Sequence, residues 1–382
     1  MDNRIYLLTA ISFVVGMVEL IIGGILDLIA ADLNITIGRA GLLITFFALI
    51  FAVSGPILLY LTGRAERKRV TIIALIIFLI GNIVAVFSVT FIMLLISRII
   101  SAASGSLLVV LCLTLASHIS EPHYRGRALG LVIMGISGSV VLGLPIGVSL
   151  GHGFGWQSPF ILVAILTIIL IFGVLSFFGS IPTQEPMSLK EQLNALSNKK
   201  IIFGHLTTFF FLAGHFTLYG YLTPFVQTTM GFDGTWITIV YFVYGAAAVT
   251  GGGLSGITAD RIGVRQTLLA SIILLGVCLV MLPSITSFIF WMILIVWGIL
   301  SWAITPPVQS HLIHLAPNTS DIQQSLNNAA LHLGIAFGTF IGSFVTDSLG
   351  VTKNAYVGLL FVGLALISAL ISLQKEQKSA TV

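Results

Sequence analysis

IYLLTAISFVVGMVELIIGGILDL, residues 5–28, decides the fold. The stretch is apolar for long enough to cross the ~30 Å hydrocarbon core of a bilayer as one helix. Inside a bilayer the backbone must satisfy its own hydrogen bonds, and a barrel strand would be about half as long and alternating, so the run reads as a helix. It also carries a carboxylate, Glu19, deep in the apolar run. A charge at the centre of a spanning helix costs about 2.5–3.5 kcal/mol on the insertion scale unless it faces protein or water. Glu19 therefore predicts a cavity or an ion path beside the first helix.

Outward from this stretch, similar runs recur along the chain, at 5–28, 40–62, 70–89, 91–117, 128–150, 157–180, 201–225, 235–258, 267–285, 288–312, 322–346 and 354–373. The expected class is an all-α membrane protein of twelve transmembrane helices. Of the 17 lysines and arginines, Arg98 lies within a span, and Arg39 and Lys353 fall in loops on one side. The rest, from Arg4 and the cluster Arg64, Arg67, Lys68 and Arg69 to Lys375 and Lys378, fall on the other side. Because basic loops stay in the cytoplasm, both termini are expected there. The net charge of +4 is then a topology signal, and no nucleic-acid partner is expected. The first span lacks a strongly basic leader and a small-residue cleavage site, so it is expected to be retained. Cys112 and Cys278 stand alone in apolar spans and read as packing residues, with no metal or disulfide spacing.

One long polar interruption, 181–200, leaves six spans on each side. Within it Leu189, Leu193 and Leu196 recur at helical spacing, which predicts an amphipathic linker helix lying on the cytoplasmic interface. The expected division is a bundle over 1–180, the linker, and a second bundle over 201–382. The segment from Gly55 to Arg69 matches that from Gly252 to Gln266, 197 residues on: a glycine-bearing helix end followed by a short basic turn. Two six-helix halves related by an axis along the membrane normal, with a site between them, are the architecture this repeat implies.

The turn GITADRIGVR, with Gly256, Asp260, Arg261, Gly263 and Arg265, resembles the loop signature of the major facilitator superfamily. Its first-half copy, LTGRAERKRV, departs from that pattern at Gly63 and Glu66. SRIISAASG, with Arg98 and Gly105, resembles the arginine motif of proton-coupled members. LGLPIGVSLGHGFGW, with Gly143, Pro145, Gly147 and Gly151, resembles the antiporter motif of exporters. VELIIGGIL around Glu19, AGHFTLYGYLTPF (213–225), WGILSWAITPPVQS (297–310) and APNTSDIQQSLN (316–327) look like the purine base and nucleoside efflux pumps of Gram-positive bacteria. That resemblance implies the major facilitator fold, a bacterial plasma-membrane location, a monomer, and export of purine bases or nucleosides in exchange for protons. The alternative it leaves open is a multidrug, sugar or other metabolite:proton antiporter of the same fold.

Several residues are candidates for the mechanism. Helix rise places Glu19 roughly 21 Å from the cytoplasmic end of its helix, and Arg98 of the fourth span at a similar depth. They are expected to form a switchable ion pair that moves a proton, or else a permanent pair that orders the bundle. Asp27, about 12 Å further along, is a second proton candidate at the outer mouth or a solvated helix-end acid. His215 and Tyr219 can stack on a flat heteroaromatic solute, with a hydrogen-bonded internal histidine as the competing reading. His332, at similar depth, matches no motif. Trp302 offers a stacking face and Gln309 an amide, near Pro306 and Pro307, which should break the tenth helix. Asn327 and Asn328 are either substrate contacts or interhelical glue. Gly143, Pro145 and Gly147, with Asp260, Arg261 and Arg265, are candidate gating elements. Nothing resembles a P-loop, a zinc cluster or a catalytic triad, so neither an enzyme nor a cofactor is expected.

Overall fold

The computed structural model describes residues 2–179, 196, 198–285 and 287–374. The expected amphipathic linker helix, with Leu189 and Leu193, lies outside them. Among the described residues every regular element is a helix, and twelve are long and apolar enough to span a membrane. They are α1 (Arg4–Gly24), α2 (Ile37–Leu61), α3 (Arg67–Val86), α4 (Phe91–Ile119), α5 (Arg125–Phe154), α6 (Ser158–Phe177), α7 (Lys199–Tyr219), α8 (Gly234–Ile262), α9 (Val264–Ser284), α10 (Phe288–Leu315), α11 (Ile322–Leu349) and α12 (Val351–Ser372).

Three of the expected spans are broken. The first ends at Ile25 (φ −123°, ψ 20°) and resumes as Leu26–Asp32; the seventh ends at Tyr221 (φ −119°, ψ 25°) and resumes as Leu222–Met230. The two breaks share one backbone conformation at positions 196 residues apart, so the halves repeat inside the membrane as well as in the loops. Their local causes differ. Gly23 and Gly24 weaken α1, whereas Pro224 has no N–H for the carbonyl of Gly220. α10 is interrupted at Ile304, just before the two prolines expected to interrupt it.

Small residues let helices approach closely, the means by which spans associate where lipid is as apolar as leucine. On α5, Gly135, Gly143, Gly147 and Gly151 pack on Thr9, Met17, Ile21 and Ile25 of the first span, and Ser139 sits against Gly16. On α11, Gly334, Gly338 and Gly342 pack on the carbonyls of Phe209, Ala213 and Thr217 of α7. The α11 positions lie 199 residues beyond Gly135, Ser139 and Gly143, so α5 clasps α1 as α11 clasps α7. Meanwhile α3, α6, α9 and α12 present isoleucine and leucine outward, among them Ile73, Ile169, Ile273 and Leu360. These four helices form the lipid-facing flanks, and the site falls to the inner eight.

Candidate functional site

Between the halves lies a cavity of about 190 Å³. Glu19 of α1, Phe51 of α2 and Ser139 of α5 contribute from one side, and Tyr219 of α7, Trp302 of α10 and His332 of α11 from the other. The halves touch through side chains on the far side of this cavity, away from the basic loops. There Asp347, at the end of α11, accepts from Thr36 Oγ1 (2.7 Å) and from the backbone N–H of Gly38 (2.9 Å) at the start of α2. Gln227 Nε2 donates to Asp27 (2.6 Å), and Thr45 and Thr339 pair at 2.9 Å. Toward the basic face, Gln324 and Asn328 of α11 are exposed and Leu331 is half-buried, one helical stripe leading into the cavity. The molecule is closed at one end and open at the end that carries the basic loops.

Glu19 sits at the head of the opening with a side-chain exposure of 19%. Arg98 lies nearby, but no ion pair between them occurs among the described residues. The guanidinium instead donates through Nη2 to the carbonyl of Val18 (2.8 Å), one residue before Glu19, and lies over Phe47 with its carbon 4.1 Å from the ring centroid. That carbonyl bond and the cation–π contact compensate part of the cost of a sealed charge. In this conformation the carboxylate of Glu19 meets a different group. His332 Nδ1 stands 3.4 Å from Glu19 Oε1, and its ring packs on Phe51 at a centroid separation of 4.4 Å.

An aromatic cluster forms the C-terminal wall. Trp297 Nε1, which can only donate, points at His215 Nδ1 (3.0 Å), so Nε2 carries the ring proton and donates to Tyr244 Oη (3.0 Å). Both nitrogens of His215 are therefore engaged inside the C-terminal half. Its ring stacks on Tyr219 at 5.1 Å, and Tyr219 stacks in turn on Tyr244 at 4.6 Å. The hydroxyl of Tyr219 has no protein partner, although the side chain lines both the cavity and a void of about 20 Å³ behind Glu19, room for about one water. Sequence reasoning missed Tyr244 and Trp297. Aromatic residues abound in the spans, and the only signal for them was their spacing around His215 once the helices are packed.

The sequence matches the description of the Major Facilitator Superfamily over residues 8–339. The chain belongs to that superfamily. Among curated relatives, the uncharacterized MFS-type transporter YbcL of Bacillus subtilis is 34% identical over 382 residues, covering 99% of this chain and 97% of its own. A second from the same organism, YtbD, is 28% identical and covers 94% and 92%. A protein of Mannheimia succiniciproducens named "Probable sugar efflux transporter" is also 28% identical, covering 95% and 92%. Among solved structures, a bacterial homolog of the human lysosomal transporter Spinster, inward-facing and occupied, superposes with a TM-score of 0.83 at 15% identity, covering 97% and 96% of the two chains. This chain is thus a multi-pass membrane transporter of the superfamily, and not an enzyme.

Within this superfamily member the remaining sequence candidates take various positions. In α10, Pro307 leaves the carbonyl of Ala303 without its helical donor, and Ser255 Oγ of α8 supplies one. Trp302, 37% exposed, reaches the cavity. Gln309 is half-buried and does not line it. Asn327 is sealed between helices, accepting from Thr208 Oγ1 (2.8 Å), while its neighbour Asn328 faces the cavity. Asp27 belongs to the closed end, through Gln227. Gly143 and Gly147 serve the α1–α5 contact, and Pro145 opens the final segment of α5 after a π-helical turn over Ser139–Gly143. Asp260, Arg261 and Arg265 are exposed around the α8–α9 turn, where Gly263 takes φ +100°. No metal cluster of three or more His, Cys, Asp or Glu occurs among the described residues.

Proposed function

We propose that this transporter exports purine bases or nucleosides across a bacterial plasma membrane in exchange for protons, as a monomer with both termini and its basic loops in the cytoplasm. The two halves, 1–180 and 201–382, rock about the cavity, and the conformation described here is then inward-facing. One observation carries the reading: a single carboxylate, Glu19, and an aromatic wall that includes Tyr219 and Trp302 line the same cavity. A flat heterocycle would stack against Tyr219 and Trp302, donate a ring N–H to Glu19, and offer its other edge to Asn328. His215 orders that wall and keeps Tyr219 in place. A cavity of about 190 Å³ lies below the ~300–1,000 Å³ of drug-sized pockets, which favours a small solute over a bulky drug. Protonation of Glu19 removes its charge and turns one acceptor oxygen into a donor, which weakens its bond to the solute's N–H, so proton and solute compete for one group, the minimum requirement of an antiporter. Asp27 is a second proton candidate, released when the far end opens. Asp260, Arg261 and Arg265 are poised to engage when the near end closes.

The test is flux into proteoliposomes with an imposed pH gradient, using labelled hypoxanthine, adenine and guanosine beside a panel of monosaccharides. Purine movement that follows the gradient supports the reading. Gradient-driven sugar movement without purine movement replaces it with sugar:proton exchange. That second reading is favoured by the relative named as a sugar efflux transporter and by the fit of an aromatic face beside amide and hydroxyl groups to a sugar ring.

A further inference from the structure

The proposed function rests on Glu19 exchanging protons, and the two nitrogens of His332 suggest how the proton travels. Nδ1 is sealed from solvent and faces Glu19 Oε1 at 3.4 Å. Nε2 makes no hydrogen bond to protein and is not among the sealed, unpartnered atoms, so it looks into the cavity. One ring therefore faces the carboxyl with one nitrogen and opens on the cavity with the other. The ring is held in this pose by Phe51 of the opposite half. Among the described residues, Glu19–His332 is the one ion pair joining the two halves.

We propose that His332 is a relay residue that carries the Glu19 proton to and from the cavity. With Glu19 protonated, its O–H donates to Nδ1 while Nε2 holds the ring proton. The O–H bond breaks as the Nδ1–H bond forms, leaving a carboxylate beside an imidazolium. The imidazolium then loses its Nε2 proton to cavity water, and the neutral ring donates from Nδ1 to the carboxylate. One proton has left the site, and Glu19 is free to accept an N–H from an arriving solute. The reverse sequence loads it. Because the relay spans the two halves, rocking them apart at this level interrupts it, so proton exchange is tied to one conformation. The other titratable or charged groups on helices packed around the pair are Arg98 on α4, His215 and Tyr219 on α7, and Tyr241 and Tyr244 on α8. Of these, Arg98 is turned onto Val18, and both nitrogens of His215 are occupied. Neither offers a competing route.

The test uses the purified full chain in nanodiscs with no solute. The infrared carbonyl band of protonated Glu19 is assigned by its loss in Glu19→Gln, and its rate of change after a pH jump is compared with that of His332→Gln. The relay predicts a rate at least about tenfold slower in His332→Gln, together with a shifted band, since removing a positioned acid–base group commonly costs one to several orders of magnitude. An unchanged rate and band position would overturn it. His332→Asn repeats the measurement should His332→Gln fail to insert. Purine flux is scored separately on the unmodified chain. Loss of the cargo reading leaves the infrared result to decide the relay, and gradient-driven purine flux with an unchanged pH-jump rate sinks the relay alone.

Discussion

Glu19 is tolerated in the span because its side chain lines the cavity instead of facing lipid. Replacing it by glutamine keeps the size and a hydrogen-bonding edge but removes the proton. In Glu19→Gln, gradient-driven transport should fall at least about tenfold while solute binding in detergent changes far less, since the amide can still meet a solute edge. Parallel measurement of flux and of binding by calorimetry separates the two; equal losses in both would mean that Glu19 only holds solute. The aromatic wall makes a different kind of prediction. Tyr244→Phe leaves the Nε2–H of His215 buried without an acceptor, which costs about 1–3 kcal/mol, and the thermal midpoint should drop by several degrees while Trp297 fluorescence shifts. Glu19 was legible in the sequence because a charge in an apolar run is costly wherever it occurs. His332 was not, because a histidine in a span carries no such mark until its neighbours are known. Tyr244 and Trp297 were hidden among the many aromatic residues of the spans, and Arg98 was read correctly for depth but not for its turn toward Val18.

At the scale of the helix, run length made the twelve spans readable, since the hydrocarbon core sets a minimum that no loop here reaches. Interruptions within spans were less readable, because the same residues do different things in different places. Pro56 remains inside an unbroken α2, Pro224 sits one turn beyond a break, and only the adjacent pair Pro306–Pro307 announced one plainly. In α10 a neighbouring helix satisfies the carbonyl that proline strands. That neighbour is α8, through Ser255 and the carbonyl of Ala303. Ser255→Ala should therefore destabilise by about 1–2 kcal/mol through an unsatisfied buried carbonyl. Pro307→Ala should restore a helical N–H to that same carbonyl and make the serine dispensable. In a double-mutant cycle read by thermal unfolding, the cost of Ser255→Ala should shrink to near zero in the Pro307→Ala background. A cost independent of Pro307 would show that Ser255 contributes packing alone.

For the whole molecule, the asymmetry between a sealed end and an open end is set by few contacts, and Asp347 supplies the most concentrated of them. Its carboxylate caps the start of α2 from the opposite half, taking the N–H of Gly38 and the hydroxyl of Thr36, at a helix N-terminus where negative charge is favoured. A cap that crosses between halves belongs to one conformation only, so it biases the equilibrium instead of stabilising the protein uniformly. Hydrogen bonds to a charged acceptor are worth about 1.5–3 kcal/mol each when buried; these two are exposed or half-buried and together contribute about 2–3 kcal/mol, so Asp347→Ala should shift the population toward opening at this end by one to two orders of magnitude. Ile44, buried beneath the seal beside the void behind Glu19, is a suitable reporter as cysteine. Cys112 and Cys278 are both buried and should contribute little background. Labelling of Ile44→Cys by an impermeant maleimide added at the sealed end should accelerate at least about tenfold in Asp347→Ala. Ser348→Ala, which removes only an exposed hydroxyl bonded within its own helix, should leave the rate unchanged. If the halves move as rigid bodies, labelling of Asn328→Cys from the basic face must slow in the same Asp347→Ala protein. Faster labelling at Ile44 with no slowing at Asn328 would mean that the sealed end loosens locally, and the two ends would not be coupled through a single rocking motion.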